Sequence, residues 1–338
     1  MAQLFFMTRN FTGLVPPASG ELPVSLGRLI WGAVTVGETP ISLGAPPRPL
    51  VELCWRAALA MATVEEDRPS DRWIKTDAYY RLDPSEKSAV SYFLGMTQAK
   101  ITCEMLLGVP HLVHLDAILA LLGRPTNRSR PDFVGMDLAS MTYTIALEAK
   151  GRTHGRPDSV VWKAKEQAKL LPDILGTSSK VRVASVASFS ENDHWEAYLE
   201  DPAGPYEELA PIIPGVLMIA YYRHLVAALM SAGIDEAASD ETTAVARVPE
   251  IDLLLGLPRS IVSVLSTVPL AGRLSADQVQ AAGPELLSSI AGLPGKQLAS
   301  AAGQTWAGRG SLETGEPASC TGFDGVRVEL GPSWFSET

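Results

Sequence analysis

Residues 142 to 151 read Thr-Tyr-Thr-Ile-Ala-Leu-Glu-Ala-Lys-Gly, and no other stretch restricts the fold of this chain as much. Its alternation reads as a strand, and at period two Glu148 and Lys150 fall on one face with Ala149 on the other. Upstream, Pro131-Asp132 leads into Phe133, Val134 and Met136, which have strand character, and the segment from Asp137 to Met141 turns. The two strands are expected to form a hairpin that sets an acid beside an acid. Asp132 is the acid opposite Glu148, with Asp137 as its replacement if the register differs. Two carboxylates and a lysine converging on one spot suggest a divalent metal site, and the carbonyl of Ala149 offers a further hard oxygen.

The flanks supply the rest of a core. Asp83 can cap a helix, Pro84 suits its first position, and Glu86 stands where a capping box places its acid. On this helix Val90, Phe93, Leu94 and Ile101 share a stripe, and Glu104 falls on it. A carboxylate on an apolar face needs a metal, a cation or a raised pKa, so Glu104 is the candidate third acid, unless it sits at the stripe edge and reaches water. Gly108-Val109-Pro110 ends the helix, and His111 to Leu122 fits either a buried strand or a helix. His111 and His114 have a metal-pair spacing but no third ligand, and are read as core or surface residues. After Lys150, residues Gly151 to Arg156 form a basic loop, and a helix follows from Asp158 or Ser159 to about Leu171, with Lys163 and Gln167 one turn apart. Val181 to Ala187 alternates as a further strand. Helix, hairpin, helix and strand in that order predict an α/β core.

The net charge of -10 argues against a protein that simply coats nucleic acid, but it hides a local contrast. From Arg124 to Arg182 eleven basic residues face six acidic ones, and five of the nine lysines lie there. The first eighty residues offer a strand at Leu29 to Val36 and a helical pattern from Val51 to Val64. Trp31, Trp55 and Trp73 are read there as core or interface aromatics rather than a base-stacking platform. Beyond Asp201 come an apolar helix near Val216 to Met230, an acidic loop from Asp235 to Glu250, and a strand at Gly325 to Leu330. The expected organisation is an N-terminal region (1–82), a core (83–200) and a mainly helical C-terminal region (201–338). Arg223 and His224 interrupt the longest apolar run, which argues against a membrane span. Three scattered cysteines fit reduced thiols, and Met1 to Asn10 does not read as a secretory signal, so a cytoplasmic location is expected.

Pro131-Asp132, a gap of fifteen residues, then Glu148-Ala149-Lys150 at a strand end resembles the PD-(D/E)XK nuclease superfamily. The resemblance covers roughly Asp83 to Ser190. Of the nine lysines only Lys150 has an acid two residues earlier, and neither Pro157-Asp158 nor Pro172-Asp173 precedes a Glu-x-Lys. The resemblance implies a restriction-endonuclease-like core, a mixed sheet flanked by helices, and magnesium- or manganese-dependent hydrolysis of DNA. Asp132, Glu148 and Lys150 would be catalytic, and Asp132, Glu148, Ala149 and Glu104 would hold the metal. It also implies that Lys163 and Gln167 approach the DNA backbone, and the basic loops add Arg124, Arg128, Arg130, Arg152 and Arg156 as phosphate contacts. Double-stranded DNA, restriction or phage defence, and a homo-oligomer or larger defence complex are the setting it suggests. The alternative is a nuclease-like subunit that no longer cuts and binds nucleic acid or a partner protein.

Overall fold

The computed structural model describes residues 1–11, 16–36, 48–123, 129–136, 144–170, 181–201, 214–293 and 318–335. The elements in chain order are β1 (Ala2–Arg9), β2 (Ser19–Val24), α1 (Leu26–Thr35), α2 (Arg48–Thr63), β3 (Val64–Asp67), β4 (Arg72–Lys75), α3 (Asp77–Arg81) and α4 (Pro84–Leu107). Then follow β5 (His111–His114), α5 (Leu115–Leu121), β6 (Phe133–Met136), β7 (Thr144–Gly151), α6 (Asp158–Ala168), β8 (Val181–Phe189) and β9 (Trp195–Glu200). The last part holds α7 (Pro214–Ala232), β10 (Thr243–Val248), β11 (Leu253–Pro258), α8 (Arg259–Leu265), α9 (Ala276–Ala291), β12 (Ser319–Thr321) and β13 (Arg327–Leu330).

The expected α/β class holds, with a mixed sheet flanked by helices. Its described strands run β3-β4-β1-β9-β8-β7-β6-β5, with β2 also on β1. The pairs β5–β6, β6–β7 and β8–β9 are antiparallel, whereas β7–β8 and β9–β1 are parallel. Parallel neighbours need a crossover, and α6 provides it between β7 and β8. Alternation then sorts the two faces. Leu147, Ala149 and Val183 join the main core with Leu94 of α4, while Val186 and Tyr198 point the other way and pack with Val161 of α6.

The helix predicted from Asp83 is α4, and its capping box forms with both Asp83 and Glu86 making their bonds. Its middle is pressed onto β7. A Cβ at Gly151 would stand 1.6 Å from Ser91 O, and one at Gly95 would stand 2.8 Å from Gly151 N, so glycine at both places permits the contact. His111 to Leu122 is both things its sequence allows, the short strand β5 followed by α5.

Two expectations change. The strand expected at Leu29 to Val36 is the helix α1, capped by Ser25, which accepts from Arg28 N. Residues Gly27 to Thr35 are all buried, so no polar face marks the 3.6-residue period. The C-terminal part holds more helix than strand among the described residues, but its helices accompany a four-stranded sheet in the order β10-β11-β13-β12, of which only the strand near Gly325 to Leu330 is expected from the sequence. One strand of it, β10, lies inside the supposed acidic loop.

The sheet crosses the boundary expected at residue 82, since β1 pairs with β9 from Phe5↔Glu196 to Arg9↔Glu200. One buried cluster includes residues from all three expected parts. The helix α7 has the length and hydropathy of a membrane span, but it is mostly buried inside the protein and serves as a core helix.

Candidate active site

The register of β6 on β7 pairs Phe133 with Leu147, which sets Asp132, the residue just before β6, opposite Glu148. Asp132 N donates to Glu148 Oε2 at 3.2 Å, and Ala149 N donates to Asp132 Oδ2 at 2.9 Å. Lys150 Nζ donates to Glu148 Oε1 from the same face of β7. The backbone holds Asp132 in turn, because its carbonyl accepts from Leu115 N at 2.8 Å. The Glu148 side chain is 1% exposed and that of Lys150 30%, so the lysine links a buried carboxyl group to solvent.

Burial raises the Glu148 pKa to about 8, with the neighbouring Asp132 charge adding to it and Lys150 opposing. Burial also pushes Asp132 upward, against the hydrogen bond from Ala149 N and the Lys150 charge. Of the two acids, Glu148 is thus the one that keeps its proton near neutral pH.

The site residues meet two oxygen-rich requirements for a hard divalent cation: two carboxyl groups side by side, and surroundings in which a positive charge would relieve their repulsion. The N–H and C=O of one strand residue leave on the same edge, so the Ala149 carbonyl faces the side on which its N–H meets Asp132. Among the described residues no group of three or more His, Cys, Asp or Glu side chains converges. Magnesium is commonly held by one or two carboxylates with water completing the set.

Glu104 is not part of this set. It is buried on the apolar stripe, as its spacing indicates, but its partner is a cation: Arg28 Nη1 donates to it at 2.5 Å, and Phe323 N at 3.3 Å. It lies thirteen residues beyond Ser91, about 20 Å along α4. Around it Lys100, Tyr221 and Asp324 form a buried polar cluster, with Lys100 Nζ 4.4 Å from the Trp31 ring centroid. His111 Nε2 bonds the Tyr222 hydroxyl at 2.7 Å and His114 Nδ1 accepts from Asp116 N at 3.3 Å, so both histidines serve the core.

The basic residues are more occupied than their count suggests. Arg130 pairs with Asp116, Arg156 lies 3.6 Å over the Tyr198 ring, and Lys169 pairs with Glu166. Arg152 and Lys163 are exposed and Gln167 is half-buried. On α6 it is Lys165, not Lys163, that turns inward, donating to Glu200 at 2.5 Å. Arg124, Arg128 and Asp137 lie outside the described residues.

Sequence reasoning missed Tyr92, whose hydroxyl feels the Asp132 and Glu148 charges, and Asp116, the carboxylate partner of Arg130 beside them. No local spacing could have found them, because α4, α5 and the residues before β6 meet only through the fold. Comparison with protein-family models, curated proteins and solved structures finds no match.

Proposed function

We propose that this chain is a divalent-metal-dependent endonuclease that hydrolyses DNA phosphodiester bonds, with a restriction-endonuclease-like core. The observation that carries the reading is the buried pair Asp132 and Glu148, on neighbouring strands, with Lys150 bound to Glu148 on the same face. Magnesium or manganese held there would supply a counter-charge for the phosphate and lower the pKa of a bound water. Asp132, Glu148 and the Ala149 carbonyl are the groups that would hold it. Lys150 would orient the attacking water or stabilise negative charge on the phosphate, a role supported by an ammonium that reaches from the buried acid to solvent. Ala149 N fixes the Asp132 carboxylate, so that group needs little rearrangement when a substrate arrives. A mixed sheet flanked by helices is what the family resemblance implies, and a role in restriction or phage defence rests on that resemblance alone.

The test is cleavage of linear, supercoiled and single-stranded DNA by the purified chain with magnesium or manganese. Glu148→Ala and Lys150→Ala should abolish cleavage while the protein stays folded, and unchanged cleavage would remove the motif from the mechanism. One observation favours the second reading, a nuclease-like subunit that binds without cutting. Backbone N–H groups and Lys150 already hold both acids, and Arg130, Arg156 and Lys165 are engaged with neighbours. Magnesium titration by calorimetry separates the readings, because a chain that takes up no ion while folded supports the binding role.

A further inference from the structure

Of the tryptophans read above as packing residues, Trp31 and Trp73 are buried in the core, but Trp55 on α2 is 46% exposed. Val51, one turn earlier, is 60% exposed and Tyr92 on α4 is 37% exposed. The two exposed rings meet through Phe93. Trp55 meets Phe93 edge to face at 4.5 Å between centroids, and Tyr92 meets Phe93 at 5.2 Å. The Arg56 guanidinium lies 5.7 Å from the Phe93 centroid, on the helix that carries Trp55. Two exposed rings are thus braced by a third that is half-buried. Single exposed apolar residues need no explanation, but a contiguous group of them beside a site marks a binding surface.

The ledge adjoins the acid pair. Ser91, the residue before Tyr92, has its carbonyl against Gly151 on the face of β7 opposite Glu148 and Lys150, and from there the Tyr92 hydroxyl still feels the Asp132 and Glu148 charges. From the other side, the Glu52 and Arg56 charges reach His114, and the Asp116 close to His114 pairs with Arg130, two residues before Asp132. The cations along this line already hold carboxylates: Arg56 with Glu52, Arg130 with Asp116, Lys150 with Glu148. Duplex DNA is gripped chiefly by cations on its phosphates. A strand with unpaired bases is held instead by stacking on flat side chains, worth about 1–3 kcal/mol per base. Beside the acids the described surface offers the two rings and, beyond these paired cations, the exposed Arg152 just past Gly151.

We infer, resting on the hydrolase reading of the site, that Trp55 and Tyr92 stack unpaired bases next to the scissile phosphate. The substrate is then single-stranded DNA or an unpaired segment, rather than the intact duplex that the family resemblance suggests.

The experiment measures binding by fluorescence anisotropy without divalent ions, using the full chain and labelled oligo-dT of about 12 nucleotides, a duplex of equal length, and an abasic strand. The expected result is binding of oligo-dT at least about tenfold tighter than of the duplex. Trp55→Ala and Tyr92→Ala should each weaken it by about 5- to 150-fold, and Trp55→Phe by less. The abasic strand serves as a control that does not depend on the variants folding, and it should lose the preference. Equal affinity for single strand and duplex would overturn the inference. So would an abasic strand that binds as well as oligo-dT, a Trp55→Ala chain that is folded and binds unchanged, or tighter binding of oligo-U, which would assign the ledge to RNA. Cleavage is scored separately with magnesium or manganese. Single-strand cleavage that is indifferent to both ring substitutions sinks the ledge and keeps the hydrolase, whereas ring-dependent binding without any cleavage keeps base stacking and sinks the hydrolase.

Discussion

Replacing Glu148 by Gln should make the metal-free protein less sensitive to alkaline pH. Glu148 titrates near 4.5 when unfolded and at about 8 when folded, chiefly because it is buried. Between those values the folded chain keeps a proton that the unfolded chain has released, so stability falls as pH rises, by about 1.4 kcal/mol per unit, and the fall stops above the folded pKa. From pH 6 to pH 9 this amounts to about 2–3 kcal/mol, the lower figure allowing for the interaction of Glu148 with Asp132. Gln keeps the size and the acceptor for Asp132 N but does not titrate, and Lys150 is exposed enough to remain hydrated. Urea unfolding followed by tryptophan fluorescence at the two pH values reads the difference directly. Wild type should lose the full amount and Glu148→Gln much less. Magnesium at saturating concentration should flatten the wild-type dependence and leave the variant unchanged. If wild type and Glu148→Gln lose the same stability between pH 6 and 9, the buried-pair reasoning is refuted.

The same retained proton predicts that magnesium binding at pH 7 releases about one proton per chain and at pH 9 almost none, measurable by calorimetry in buffers of different ionisation enthalpy. Gly151→Ala should cost about 3 kcal/mol and abolish cleavage, because the added methyl would fall on Ser91 O and part β7 from α4; thermal unfolding and the DNA assay report both. Asp324→Asn should destabilise the fold by about 3–5 kcal/mol by leaving the buried Lys100 ammonium without its carboxylate. That loss should shrink at alkaline pH, since burial already lowers the Lys100 pKa and neutral lysine tolerates the site; denaturation at pH 6 and 9 checks the sign.

What the sequence shows well is what neighbouring residues decide among themselves. The Asp83 cap needs only Ser85 and Glu86, and the shared face of Glu148 and Lys150 needs only the strand period. The apolar run in α1 carries no such mark, since burial on every side removes the contrast between faces. Glu104 is legible up to a point: its stripe shows that it is buried and must be compensated, but its cation, Arg28, lies 76 residues away and no spacing rule selects it. The ring ledge is harder still. Trp55 and Phe93 come from different helices, and a tryptophan in a helical pattern reads the same whether its outer edge is covered or bare.

The position of β1 has a consequence for anyone who would work with residues 83–200 alone. In the whole chain β1 lies against β9 along Phe5 to Arg9, so β9 is an interior strand. A fragment lacking the first residues would present the backbone amides and carbonyls of β9 as a bare edge beside an uncovered apolar face, and such edges recruit strands from other molecules. The fragment would then self-associate through that edge, and a loss of cleavage in it would report aggregation rather than chemistry.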